Sequence, residues 1–487
     1  MIGAVSSDCC YGHRMDTRFE IHQSLRALEF SSGRAVLKFL GCLLAAWAAA
    51  FWPEHAGLAD AGRWSLAIVV LGAGLWITEA IPAFAVALLI IGLQILILGR
   101  PGGVLLGADD LQGWEMFVKP WASPPMWLFF GGLVLARAAE RTGMDRHLAQ
   151  RVMRWSGGRA QVLLPALMGL AFVLSMFMSN TATTALMLVM LRPALASLPL
   201  DSPVPRSMLL GLAVAANLGG MSTLIGSPPN AIAAGLLERD TPVDFLRWSL
   251  LALPPALLLF GIAWLLLMRP VRRSPATLPM EMPVAMAQGV PVRRWQRLAT
   301  LAILVLTVVL WISGSWHGIP TAVVSFVPIV ALSMTGVIGR DEIKSIEWDV
   351  LILLAGGLSL GVGIEASGLA EWLARSVHST AMPPWLAALV LAWLAALVSN
   401  LMSNTAAANI LLPVTLIIAH AMQQGAAAFV IPVALACSAA MALPISTPPN
   451  ALIYASGRIR GVDYLPVGLT MFLLGPPLAV AWVWLMR

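Results

Sequence analysis

FVLSMFMSNTATTALML, residues 172–188, is an apolar run interrupted by three small polar residues, Ser179, Asn180 and Thr181. LVSNLMSNTAAANILLP, residues 397–413, repeats the interruption at Ser403, Asn404 and Thr405. Neither interruption carries a charge, a glycine or a proline. Both are too short and too uncharged for a water-exposed loop. Each therefore reads as the tip of a re-entrant helical hairpin that returns to its own side of a bilayer.

Composition supports the bilayer. The chain has 487 residues, 59% of them hydrophobic and 11% charged, with mean hydropathy +0.84. A soluble domain carries about 25% charged residues. Runs of span length lie near residues 35–52, 64–81, 83–99, 126–143, 207–224, 248–268, 298–316, 319–338, 349–366, 427–443 and 466–486, outside the two hairpins. Lipid supplies no hydrogen-bond partners, so a span is a helix or a strand of a closed barrel. Uninterrupted apolar runs without a ten-residue alternation select helices. The fold class is an all-α polytopic membrane protein with eleven spans and two hairpins.

The formal charge of +6 does not point to nucleic acid, because its distribution describes topology. With a cytoplasmic N-terminus and hairpins that do not cross, 23 of the 30 Lys and Arg fall in cytoplasmic segments. The positive-inside rule then puts the N-terminus inside and the C-terminus outside a cell inner membrane. The expected organisation is a cytoplasmic lead over 1–34, scaffold helices over 35–125 and a first repeat over 126–268. A cytoplasmic linker rich in Pro and Met (269–297), further scaffold helices (298–348) and a second repeat (349–487) follow. The lead lacks a signal-peptide pattern. The cysteines, Cys9, Cys10, Cys42 and Cys437, have neither metal-ligand spacing nor a disulfide framework.

The two repeats share ordered landmarks. Gly131-Gly132 answers Gly356-Gly357, and Glu140 and Gly143 answer Glu365 and Gly368, all at an offset of 225. Ser175 and the first Ser-Asn-Thr answer Ser399 and the second at 224, and IGSPPNAIAAG (225–235) answers ISTPPNALIYASG (445–457) at 220. Five further crossings separate the first landmark span from its counterpart. Five is odd, so the repeats run in opposite directions through the membrane. Inverted repeats are a feature of secondary transporters, whose sites lie near the midplane between them.

The residue types at the breaks suit small ions. Ser, Thr and Asn are favoured N-caps, with the helix after the first break expected to start near Ala182. A helix start presents unpaired N–H groups and partial positive charge to an anion. The hydroxyls and the Asn180 amide add donors, and the same oxygens suit a hard cation. In Gly226-Ser227-Pro228-Pro229-Asn230 the prolines remove N–H groups and break the helix, with Ser227 as cap and Pro228 at the first helical position. Ser446-Thr447-Pro448-Pro449-Asn450 repeats the device. Irregular backbone at membrane depth survives only where protein buries it or it lines a cavity. Four such breaks converging would make two half-sites for a ligand with two anionic ends.

Taken singly, a polar tripeptide in a membrane helix is ordinarily a cap or packing glue; the ordered, repeated set is what signals function. Glu79, Glu140, Glu365 and Asp349 lie near span ends, where a solvated or structural role is the default. No G-x-x-x-x-G-K-[ST] or H-E-x-x-H occurs, so an ATP motor or a membrane metalloprotease is not indicated. Without a motor, transport must draw on an ion or counter-substrate gradient.

Paired Ser-Asn-Thr motifs, each followed some forty residues later by a [ST]-P-P-N break, resemble the divalent-anion:sodium symporter family, which carries dicarboxylates, citrate and sulfate. CSAAMALPISTPPNALI (437–453) is similar to its C-terminal signature, with Met441 where Phe is usual. The resemblance implies a homodimer in the lipid bilayer and an elevator mechanism. It implies that Ser179, Asn180 and Thr181 hold one carboxylate and Ser403, Asn404 and Thr405 the other, with Ser227, Thr447 and Pro448 lining the pocket. It also implies one Na⁺ site at Ser175, Ser179, Asn180 and Gly226 and a second at Ser399, Met402, Asn404 and Ser446, partly through backbone carbonyls. In relatives that carry sulfate one Ser-Asn-Thr often differs, so two intact motifs favour a C4-dicarboxylate such as succinate. The alternatives are Na⁺-independent dicarboxylate exchange and carriage of sulfate or citrate.

Overall fold

Apolar length and the polar interruptions between them set the helix order. The computed structural model describes residues 33–52, 55–106, 111–199, 202–274, 276–278, 292–377 and 382–487. The N-terminal lead with Cys9 and Cys10, and residues 279–291 of the linker, lie outside the described residues. The principal helices are α1 (Gly33–Phe51), α2 (Asp60–Thr78), α3 (Ala83–Leu93), α4 (Pro124–Thr142), α5 (Met144–Trp155), α6 (Ala160–Ser175) and α7 (Asn180–Ala196). Next come α8 (Pro203–Met221), α9 (Pro228–Leu237), α10 (Phe245–Arg273), α11 (Arg294–Ile312) and α12 (Phe326–Met334). The chain finishes with α13 (Trp348–Ala366), α14 (Leu369–Val377), α15 (Pro384–Leu401), α16 (Asn404–Ala421), α17 (Ala427–Ser438), α18 (Pro448–Tyr454) and α19 (Leu465–Leu485). Among the described residues the only β-type pairing is an isolated bridge between Arg159 and Thr277.

Eight helical segments are long and apolar enough to cross a membrane, and several apolar helices are shorter. Both arms of the second hairpin, α15 and α16, are among the eight, with 18 residues each; the first hairpin's arms have 16 and 17. Helices α8 and α17 are apolar almost all round and buried along nearly their whole length, as expected of helices enclosed by others. By contrast α11 buries only Thr300, Thr307 and Trp311 and turns Leu298, Leu301, Val305 and Val309 outward. That face suits lipid tails rather than water.

The glycine landmarks are points of close approach, which small residues permit between membrane helices. A Cβ on Gly131 would lie 2.6 Å from the Ser325 Cβ, and one on Gly132 would lie 2.9 Å from the Ile225 Cβ. On Gly356 it would meet Ala87 at 2.4 Å. Gly143, which ends α4, and Gly368, just after α13, adopt left-handed φ of 65° and 75°, a conformation glycine takes without strain.

The halves interlock by exchange. The broken-helix segment α9 packs against α16 and α17 of the other half, while α18 packs against α7 and α8. Within the halves, α6 lies on α8 and α15 on α17. This crossed packing brings all four helix breaks to one region.

Candidate functional site

Each hairpin turns at its Ser-Asn-Thr. Ser179 has φ −57° and ψ 132°, and α7 begins at Asn180, two residues earlier than the N-cap pattern suggests. The earlier start places Asn180 and Thr181 in the first helical turn, among the unpaired N–H groups. Ser403 occupies the same place before α16, and its hydroxyl accepts from Ala406 N at 3.3 Å. The Ser179 hydroxyl makes no such cap bond. The matched turns therefore differ: one hydroxyl is committed to its helix and the other is not.

The Pro-Pro breaks are closed by their asparagines. Asn230 Nδ2 donates to the carbonyls of Gly220 (2.9 Å), Met221 (3.3 Å) and Thr223 (2.7 Å). Asn450 Nδ2 donates to Met441 O (3.0 Å), Leu443 O (2.9 Å) and Ser446 Oγ (3.3 Å). These carbonyls have lost helical partners, and an unpaired carbonyl at this depth is costly. The asparagine of each motif thus satisfies carbonyls left open where the preceding helix ends. Sequence reading places both asparagines in the motif without assigning this task.

All four breaks line one cavity of about 160 Å³, roughly ten times the space a single trapped water needs. Ser179, Asn180 and Thr181 form one part of its wall; Ser403, Asn404 and Thr405 form another. Gly226 and Ser227 contribute from the first break, Thr447 and Pro448 from the second. Phe129, Leu133 and Phe177 make it partly apolar. Ser175, Ser399, Met402 and Ser446 do not line it; they are buried just behind.

Those buried residues are wired to the lining. Ser175 Oγ donates to Asn180 Oδ1, and Ser399 Oγ donates to Asn404 Oδ1 (2.8 Å) and Cys437 O (3.0 Å). Around the first asparagine the backbone closes in. A Cβ on Gly220 would lie 2.2 Å from Asn180 Oδ1, and one on Gly226 would lie 3.0 Å from Ser175 O. Hydroxyl, amide and carbonyl oxygens of Ser175, Asn180, Gly220 and Gly226 are therefore gathered in one place. Such an all-oxygen set suits a hard cation rather than a soft metal.

The charge of the lining is unusual for an anion site. No Lys, Arg or His is among the described lining residues, and the one ionisable side chain there is Glu347. Glu347 precedes α13, is exposed, and shares the cavity wall with Ser179. Loss of water around it on the cavity side raises its carboxyl above the ordinary range; the neighbouring Ser179 hydroxyl opposes this, while Asp349 and Glu140 push it further up. Sequence reading misses Glu347, which sits among ordinary loop charges. It also misses Asn217 of α8, which lines the cavity and is 1% exposed. The acids singled out from the sequence lie elsewhere: Glu140 pairs with Arg137 at 2.8 Å and Glu365 with Arg239 at 3.1 Å, while Glu79 and Asp349 are exposed.

A family model described as a citrate transporter, CitMHS, matches residues 73–428, well over half of the chain. The chain belongs to this family. Its members are transporters, not enzymes. The sodium-dependent dicarboxylate transporter SdcS of Staphylococcus aureus strain USA300 is 28% identical over 485 residues, covering 93% of this chain and 91% of that protein. SdcS of strain NCTC 8325 matches to the same extent. The sequence resemblance to divalent-anion:sodium symporters is thereby borne out. The crystal structure of the Alcanivorax borkumensis YdaH transporter superposes with TM-score 0.55 at 17% identity, covering 85% of this chain and 98% of that one. At that identity the likeness concerns the fold.

Proposed function

We propose that the protein is a Na⁺-coupled carrier of a small divalent anion, with C4-dicarboxylates such as succinate as its class of substrate. The observation that carries this is the meeting of two Ser-Asn-Thr turns and two Pro-Pro-Asn breaks around one cavity that lacks cationic side chains. A dicarboxylate entering it meets hydroxyls, amides and the electropositive starts of α7, α9 and α16. Ser179, Asn180 and Thr181 hold one carboxylate; Ser403, Asn404 and Thr405 hold the other, with Ser227, Thr447 and Pro448 between them.

Those dipoles alone leave two negative charges poorly balanced in a desolvated site. Na⁺, carried as a second substrate, supplies the missing charge. One ion is held by Ser175, Ser179, Asn180 and Gly226, the other by Ser399, Met402, Asn404 and Ser446. Because Asn180 and Asn404 serve ion and anion together, each ligand raises the affinity of the other by the same factor. That reciprocity is the physical basis of coupling. The SdcS relatives, named as sodium-dependent dicarboxylate transporters, support the same pair of ligands.

Eleven spans with two re-entrant hairpins, arranged as inverted repeats, form each subunit of a homodimer in the inner membrane. The hairpins and broken helices move as an elevator against the scaffold helices. With segments 137–159 and 339–348 cytoplasmic, a cavity bordered by Ala136 and Glu347 faces inward. The test is radiolabelled succinate uptake into proteoliposomes with and without an inward Na⁺ gradient, competed by sulfate and citrate. Uphill accumulation that requires Na⁺, and is competed more strongly by C4-dicarboxylates than by sulfate or citrate, is the expected result. Uptake that needs internal dicarboxylate and ignores Na⁺ assigns exchange instead.

A further inference from the structure

The cavity contains two cap hydroxyls whose partners come from the opposite half of the chain. Asn217 Nδ2, on α8, donates to Thr447 Oγ1 at 3.1 Å. Asn450 N donates to the same oxygen at 3.2 Å, the ordinary cap bond of α18. A hydroxyl oxygen has two lone pairs and one proton. With both lone pairs engaged, Thr447 has only its proton left to offer. Neither donor can receive that proton, and the cavity is the side on which Thr447 is open.

The second hydroxyl has one longer contact in the matched place. Ser438 Oγ, on α17, donates to Ser227 Oγ at 3.4 Å, and both residues are buried. Thr447 answers Ser227 at an offset of 220, and Ser438 answers Asn217 at 221. Each half therefore sends a donor across to the other half's cap. Asn217 makes no compensating bond that would account for it as ordinary packing: its Oδ1 is buried and unpartnered beside the cavity.

We propose that Asn217 is a positioning residue that fixes the Thr447 hydroxyl with its proton toward a bound carboxylate. The inference rests on the dicarboxylate reading of the same cavity and extends it to a residue that acts through the Thr447 hydroxyl. An anion site without Lys or Arg depends on every donor pointing inward. A freely rotating hydroxyl offers its oxygen as readily as its proton, and an oxygen repels a carboxylate.

The experiment is a double-mutant cycle of Asn217→Ala and Thr447→Val, read as succinate KM and kcat in proteoliposomes at saturating Na⁺. Each single variant should raise KM about fivefold, the worth of one hydrogen bond, with kcat held. The double variant should resemble Thr447→Val alone, because Asn217 acts only through that hydroxyl. Asn217→Ser, which puts the residue type of the matched position 438 in its place, should keep KM near wild type. A residue that merely packs would instead lower the amount of folded carrier and kcat, and its effect would add to that of Thr447→Val. Unchanged KM in Asn217→Ala, additive effects, or a fivefold higher KM in Asn217→Ser overturns the proposal; the last readout also serves if the alanine variant does not reach the membrane. Wild-type vesicles that take up no succinate in Na⁺ would bring down the transport reading itself, and this one with it. Wild-type uptake with an additive cycle brings down this one alone.

Discussion

Gly220→Ala tests the first half-site without touching a motif residue. The added Cβ would sit 2.2 Å from Asn180 Oδ1 and 2.6 Å from its Nδ2. Helix α8 is buried on all sides and cannot back away, so the Asn180 amide must rotate. That movement is cheap for the fold, because only the end of one side chain shifts. It is expensive for the site. The Ser175 hydroxyl loses its acceptor, a neutral hydrogen bond worth about 1 kcal/mol. The amide also loses its contact with the bound anion, and a hydrogen bond to a charged group is worth about 1.5–3 kcal/mol. Together these imply a fall of roughly 10²–10³ in kcat/KM for succinate, at 1.4 kcal/mol per tenfold. Uptake should be measured in proteoliposomes containing equal amounts of protein, with size-exclusion elution and thermal unfolding matched to wild type. Well-folded Gly220→Ala protein with uptake within about threefold of wild type would refute the reasoning, since 0.6 kcal/mol is less than either lost contact.

Asn180→Ala and Asn404→Ala should each abolish Na⁺-driven succinate uptake while elution volume stays that of wild type; substantial uptake by either removes its half-site from the account. Glu347→Gln should lower the succinate KM about fivefold at fixed pH, because it removes the one negative side chain that the cavity lining sets against a dianion; a raised KM in the same uptake assay would show that the acid assists binding. Asp145 in α5, outside the spans, is 3% exposed, and burial pushes its carboxyl up from 3.8 to about 6. A raised folded-state pKa means the acid stabilises the fold while protonated, below about pH 4, and that this is lost as pH rises through about 6. Asp145→Asn should therefore melt like wild type at pH 4 and gain up to roughly 3 kcal/mol at pH 8, read by thermal unfolding in detergent; a gain at low pH only would reverse the argument.

The helix breaks are legible because small polar residues and prolines stand out in apolar runs, and their paired offsets give them an order. Ser179 to Thr181, Ser403 to Thr405, Ser227 and Thr447 all reach the cavity for that reason. The start of α7 is misplaced when Asn180 and Thr181 are read as turn residues, whereas the turn ends at Ser179. Glu347 is invisible for a different reason. Nothing local distinguishes it from Glu342 or Asp349; only the packing of the hairpin tip beside the start of α13 makes it a cavity residue. Asn217 stands in LAVAANLGG without a matching asparagine, since its counterpart is Ser438. A repeat that conserves a donor while changing the side chain escapes comparison by residue identity.

The most direct test of a dianion site without cationic side chains is equilibrium binding. Calorimetric titration of succinate into purified protein, in Na⁺ and then in choline at equal ionic strength, separates binding from every transport step. Affinity at least about tenfold weaker in choline, with a reciprocal gain in Na⁺ affinity when succinate is present, is the result the charge argument requires. Equal succinate affinity in the two salts would contradict it.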